Sequence, residues 1–203
     1  MKLPEPKLDS AFSLEKAILL RRSVRGYAPD AVSLADVSQL LWAAQGITDP
    51  CGTRTAPSAG GTYPLEVFLM AGNVADLPAG IYKYDPASHS LTLYDNGDSR
   101  GKLAQAARGQ ACVLEAPVSL IFISSPGAIM QRYPEMGERY VHMEAGHAGE
   151  NVYLQAAALG LGTVAVGAFD AAAVKRMLWL LPHQEPIYIM PVGKMARGEP
   201  EID

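Results

Sequence analysis

The chain of 203 residues carries 17 Lys and Arg against 21 Asp and Glu, a net charge of −4, with 49% hydrophobic residues and a mean hydropathy of +0.06. That length suits one domain over residues 1–203, and the acidic balance argues against nucleic acid as a main partner. No uninterrupted run of roughly 18 apolar residues points to a membrane span. Met1 to Asp9 is polar and Pro-rich, unlike a signal peptide, and Cys51 and Cys112 read as unrelated thiols, so the expected compartment is the cytoplasm.

Ser13 reads as the N-cap of a helix from Leu14 to about Arg22. Arg21 and Arg22 either close that helix against its dipole or begin an extended segment. In the second case a period of two puts Arg21, Ser23 and Arg25 on one side and Val24 on the other. Guanidinium forks and a hydroxyl converging there would suit a phosphate. Ser33 and Asp36 open a second helix with Leu34, Val37, Leu40, Leu41 and Ala44 on its core side, and Gly46 closes it. Residues 47–62 (ITDPCGTRTAPSAGGT) have no period and many small side chains. They form either a mobile surface loop or a functional one whose backbone N–H groups approach a planar or anionic ligand.

Pro64 to Ala71 reads as a strand, and Gly80 to Tyr84 with His89 to Tyr94 as a hairpin turning at Asp85-Pro86-Ala87-Ser88. A helix is expected from about Ser99 to Arg108, an apolar strand from Val118 to Ser124, and an irregular loop from Ser125 to Gly137. Glu138 to Leu159 reads as a central helix, apolar on nearly every side and therefore buried in a domain or in a dimer. Gly160 and Gly162 stop it, and Thr163 to Val166 follows as a strand ending on Gly167. Asp170 caps a helix to about Leu180, and Ile187 to Val192 is the last strand, running into Gly193 and Lys194. The alternation lacks βαβ regularity, which predicts an α+β fold with a mixed sheet.

Several chemistries find little footing. The chain has no GxSxG, no His near either Cys in sequence, and no GxGxxG or GxxxxGK[ST] pattern. Glu144 and His147 make one Glu-x-x-His pair where carboxylate-bridged di-iron bundles use two, with two further glutamates. His142 lies about 140° from His147 on an ideal helix, so no metal is expected.

Five blocks, RRSVRGY, APSAGGTYP, GIYKYDPASHSL, EAGHAGENVYLQAAALGLGTVAVGAFD and PVGK, occur in an order that resembles the nitroreductase superfamily from about Ala17 to Lys194. Within it the chain is most similar to the SagB-type (thiazole/oxazole-forming) dehydrogenases. The resemblance implies a nitroreductase-like α+β sandwich, an intertwined homodimer, and two FMN molecules in clefts between subunits. It implies that Arg21, Arg22, Ser23 and Arg25 hold the FMN phosphate and ribityl chain, with Lys194 reaching the same phosphate. Pro57, Ser58, Ala59, Gly60 and Gly61 would line the flavin from the other subunit, and Val166 and Gly167 would lie against the ring, where a backbone N–H tunes hydride transfer.

Peptide-modifying members carry a catalytic Lys-Tyr pair just before the central helix; this chain has Arg132-Tyr133 there. Arginine is no general base because it is not deprotonated in proteins. The expected activity is an FMN-dependent oxidoreductase passing hydride through flavin N5. Its donor would be NAD(P)H or an organic substrate, and its acceptor a nitro compound, a quinone or oxygen. The alternatives are azoline dehydrogenation on a modified peptide and flavin binding without turnover.

Overall fold

Alternating side chains on adjacent strands divide the interior into two cores. In the computed structural model, which describes residues 1–196, the strands are β1 (Leu65–Ala71), β2 (Gly80–Asp85), β3 (Ser90–Asn96), β4 (Val118–Ser124), β5 (Leu161–Thr163) and β6 (Glu185–Lys194). They form one sheet in the order β3-β2-β1-β4-β6-β5. Leu65, Val67 and Leu69 of β1, with Leu120 and Phe122 of β4 and Met190 of β6, enter one core. Phe68, Met70, Ile121, Ile123 and Ile189 enter the other. Side chains alternate between faces with a period of two, so helices cover both sides.

The helices are α1 (Leu14–Leu20), α2 (Leu34–Gln45), α3 (Arg100–Ala106), α4 (Ala111–Glu115), α5 (Gly127–Arg132), α6 (Gly137–Ala158) and α7 (Ala171–Met177). Val37, Leu40, Leu41 and Ala44 of α2 and Val141, Ala145, Ala148, Val152 and Ala156 of α6 belong to the first core, and the buried residues of α3, α4 and α7 to the second. Together these layers give the α+β sandwich expected from the sequence. Every ladder between the six strands is antiparallel. The parallel component of the expected mixed sheet is confined to the isolated bridges Ser23–Thr163 and Val32–Val74.

Several boundaries differ from the sequence reading. The loop expected from Ser125 to Gly137 contains α5, and α4 was not anticipated. The strand expected at Thr163–Val166 lies earlier, at Leu161–Thr163. Its ladder stops because the amide of Ala165 donates to the Tyr153 hydroxyl at 2.7 Å instead of to a neighbouring strand. Val166 returns to the sheet through a single bridge to Ile189.

The central helix also departs from expectation. Val141, Glu144, Ala145, Ala148, Gly149, Val152, Ala156 and Ala157 are buried, and each buried valine contributes about 1.5–3 kcal/mol. His142, Met143, Gly146, His147 and Glu150 on the other side are exposed. A Cβ added to Gly146 would meet nothing within 4 Å. Apolar residues on several faces suggested burial all round, but among the described residues no element covers that side. The α6 helix ends where foreseen, with Gly160 at φ +68° supplying the left-handed turn. Gly162 serves close approach, since a Cβ there would lie 2.6 Å from Val24 Cγ1.

Among the described residues no helix is long and apolar enough to cross a membrane. Cys51 is exposed and Cys112 buried, both as free thiols.

Candidate functional site

The segment after α1 is held by the ends of β5 and β6. Ser13 caps α1 through the amide of Lys16, and Arg21 closes the helix by donating to Ala17 O at 2.9 Å. The chain then runs extended: the Val24 amide donates to Thr163 O, the Ala28 amide to Lys194 O, and the Ala196 amide to Gly26 O. Val24 is buried, while Arg22, Ser23 and Arg25 face solvent. The period of two read from the sequence therefore holds here.

Arg21, Arg22, Ser23 and Arg25, expected at the phosphate and ribityl chain, do not converge fully within the chain. Arg21 lies 3.7 Å from Glu150 and over the Tyr153 ring, and Ser23 Oγ is 3.1 Å from the Tyr153 hydroxyl. Arg22 folds back onto the carbonyls of Leu19 and Arg21. Arg25 has no ion pair among the described residues. Its charge opposes the burial that raises the Cys112 thiol pKa, which places it beside α4. Lys194 pairs with Asp30 at 3.3 Å, both about half exposed.

A second group forms around the loop from Pro57 to Gly61. Gly60 and Gly61 both have φ of +63°, and a Cβ at Gly61 would meet nothing within 4 Å. Ser58 Oγ accepts from the Tyr63 amide at 2.9 Å, and Thr62 Oγ1 donates to Ala59 O at 3.0 Å. Arg132 Nη1 donates to Gly60 O at 3.0 Å. A Cβ on Gly60 would lie 2.8 Å from the Arg132 side chain, which would have to shift, while the φ of +63° is what calls for glycine there. Tyr133 packs edge-on against Tyr140 at 5.2 Å. Arg132-Tyr133 and the APSAGG loop are thus one assembly, and the arginine secures a carbonyl.

Val166 is buried; Gly167 is exposed, with only the Tyr188 ring near its Cβ direction. Sequence reasoning overlooked three contributors: Tyr153, Arg54 and Glu144 in a structural role. Glu144 is 2% exposed, and neither of its oxygens has a hydrogen-bond partner among the described residues. Burial pushes its pKa up to about 7, against the opposing effects of the Ser58 hydroxyl and the Arg54 charge. Its spacing of three from Val141 carried the signal, because it puts a carboxylate on the buried stripe. His147, one turn later, is exposed, which separates the Glu-x-x-His pair.

The nitroreductase family profile matches residues 18–194. The chain belongs to the nitroreductase family. It is 40% identical over 194 residues to the nitroreductase-family protein MJ1384 of Methanocaldococcus jannaschii, covering 96% of both chains. It is 29% identical over 153 residues to the Microcin B17-processing protein McbC of Escherichia coli, covering 72% of this chain and 56% of McbC. The crystal structure of a nitroreductase-family protein from Ralstonia eutropha JMP134 superposes with a TM-score of 0.84 at 32% identity, covering 96% of this chain and 89% of that one. Membership identifies an oxidoreductase of a flavin-binding family with SagB-type relatives, as the sequence blocks implied.

Proposed function

We propose that the chain is an FMN-dependent oxidoreductase whose flavin sites are shared between two protomers. One observation carries the shared site. The glycine loop reaches α6 at Glu144, and the arginine segment reaches it at Tyr153. These positions are nine residues apart, which on an ideal helix means about 13 Å along the axis and opposite faces. One protomer therefore presents the two groups on different sides of its own helix, and a two-fold partner supplies the missing half of each site. The exposed stripe of α6 supports the same reading. So does α1, which packs on α6 yet leaves Leu14, Ile18 and Leu19 more than half exposed.

The residues fit a flavin mononucleotide. Arg25 has no partner carboxylate among the described residues, Arg21, Ser23 and Lys194 belong to the same proposed rim, and one terminal phosphate suits this set. Open backbone at Gly61 and Gly167 gives a planar ring room to approach. When bound, FMN supplies a two-electron acceptor that takes and returns hydride at N5. In this account Arg21, Ser23, Arg25 and Lys194 hold the phosphate, and Pro57, Ser58, Ala59, Gly60 and Gly61 line the ring. Val166 and Gly167 lie against it, with the Gly167 N–H turned to the ring because the Val166 amide is taken by Ile189 O at 2.8 Å. Arg132 fixes the loop, and Tyr133 borders the substrate space.

Similarity to McbC favours a second reading, azoline dehydrogenation on a modified peptide. Arg132 weighs against it, because a guanidinium bonded to Gly60 O removes no proton. The test is direct. The purified protein should be yellow, release FMN on denaturation, oxidise NAD(P)H and pass the electrons to a nitroarene or quinone. A colourless protein that takes up no FMN on titration would contradict the reading, and FMN binding without turnover would make the chain a flavin carrier.

A further inference from the structure

Beneath the glycine loop lies a carboxylate that the fold does not use for stability. Glu144 projects from α6 into the first core side of the molecule, 2% exposed, with both oxygens unpartnered among the described residues. Burying an unpaired carboxylate is costly, so its presence calls for a role. Two groups act on it: the Ser58 hydroxyl of the glycine loop, and Arg54 earlier in the same loop. Arg54 makes no hydrogen bond to it. Its guanidinium donates to Gln45 Oε1 at 2.6 Å and stacks on Tyr63, and Asp85 and Tyr84 of β2 act on Arg54 in turn. Among the described residues Arg54 is the charged group that acts on Glu144.

Ser58 is the connection. Its oxygen already accepts from the Tyr63 amide, the bond that closes the loop around Gly60 and Gly61. Its own proton is left to donate. An ionised Glu144 takes that proton in a charge-assisted bond and leaves the Ser58 lone pairs facing the Tyr63 amide. A protonated Glu144 competes as a donor for the same oxygen and weakens the loop closure.

We propose that Glu144 is a positioning residue of the flavin site, coupling its own proton through Ser58 to the conformation of the Pro57–Gly61 loop, so that flavin binds more tightly when Glu144 is ionised. The inference rests on the reading that this loop lines a flavin. Reciprocity requires that bound flavin lower the pKa of Glu144 by the same free energy. The carboxyl titrates near pH 7, so the coupling is readable in ordinary buffers.

The experiment measures FMN dissociation constants at pH 6 and pH 8 for the wild type, Glu144→Gln and Ser58→Ala. The phosphate of FMN ionises near pH 6, and comparing the variants cancels that contribution. For a tenfold coupling, wild-type affinity should rise between the two pH values about fivefold more than that of either variant. Infrared spectra of the wild type should show one carboxylic C=O band, absent in Glu144→Gln, whose midpoint falls on FMN addition. Ser58→Ala removes the hydroxyl that links Glu144 to the loop, together with the acceptor of the Tyr63 amide, at a half-buried position outside the core, so it keeps the test open if Glu144→Gln folds poorly. Identical pH ratios in all three proteins, with a C=O midpoint unmoved by FMN, would overturn the proposal and leave the flavin site standing. A wild type that binds no FMN at either pH would overturn both.

Discussion

The Tyr153 hydroxyl accepts a hydrogen bond from the Ala165 amide at 2.7 Å. The same oxygen lies 3.1 Å from Ser23 Oγ. One side chain of α6 thereby ends the β5 ladder and fixes the arginine segment beside it. Tyr153→Phe leaves the half-buried Ala165 amide without its acceptor, which should cost about 1–3 kcal/mol in urea unfolding. It should also weaken FMN binding through Ser23, and wild-type stability together with wild-type affinity would show the tether to be incidental.

Glu144 makes stability depend on pH. Its carboxyl ionises near pH 7 in the folded chain, against an ordinary value of 4.5, so folding favours the protonated form. That contribution is present in full below about pH 4.5 and is lost as pH rises through 7. Glu144→Gln should therefore be more stable than the wild type by on the order of 3 kcal/mol at pH 8, with little difference at pH 4.5. Thermal melts across this range check the point. A difference independent of pH would mean that Glu144 does not titrate in the fold.

Arg132 secures the carbonyl of Gly60 and takes no proton. Arg132→Lys preserves charge but loses the planar fork, and Arg132→Ala removes the bond altogether. Graded losses of flavin affinity, Ala more than Lys, with no new ionisation in the pH profile of kcat, are the expected outcome. Gain of a base-like limb in Arg132→Lys together with azoline oxidation would instead support the peptide-modifying reading.

Arg25 and Arg108 are both exposed, but only Arg25 stands at the proposed phosphate rim. Arg25→Glu should lower FMN affinity by one to two decades, the worth of a charge-assisted contact of about 1.5–3 kcal/mol. Arg108→Glu should leave it within a factor of two or so. Equal affinities in a fluorescence titration would reduce the RRSVR segment to a helix end.

Much of this architecture was legible in the residues. Serine caps, left-handed Gly160, alternating strands and the extended register of Ser23 and Arg25 are local, and local rules read them correctly. What escaped was set by contacts distant in sequence. The β5 ladder ends early because of a tyrosine twelve residues upstream, and α5 takes shape in a stretch without clear periodicity. The open face of α6 escaped for another reason: apolar composition does not say which sides of a helix the rest of the chain will cover. Glu144 was read as half of a metal motif although its spacing from Val141 already put it on the buried stripe; its neighbourhood with Ser58 depends on how the glycine loop folds back.

Heterodimer rescue addresses the shared site directly. One variant carries Arg21→Glu and Arg25→Glu, the other bulky residues at Gly60 and Gly61, and each alone should bind no flavin. After the two are unfolded together and refolded as a mixture, a heterodimer has one doubly damaged site and one intact site. The account predicts that FMN binding reappears at about one site per heterodimer. Well-folded heterodimers that bind no FMN would contradict it, because both halves of each site would then come from the same chain.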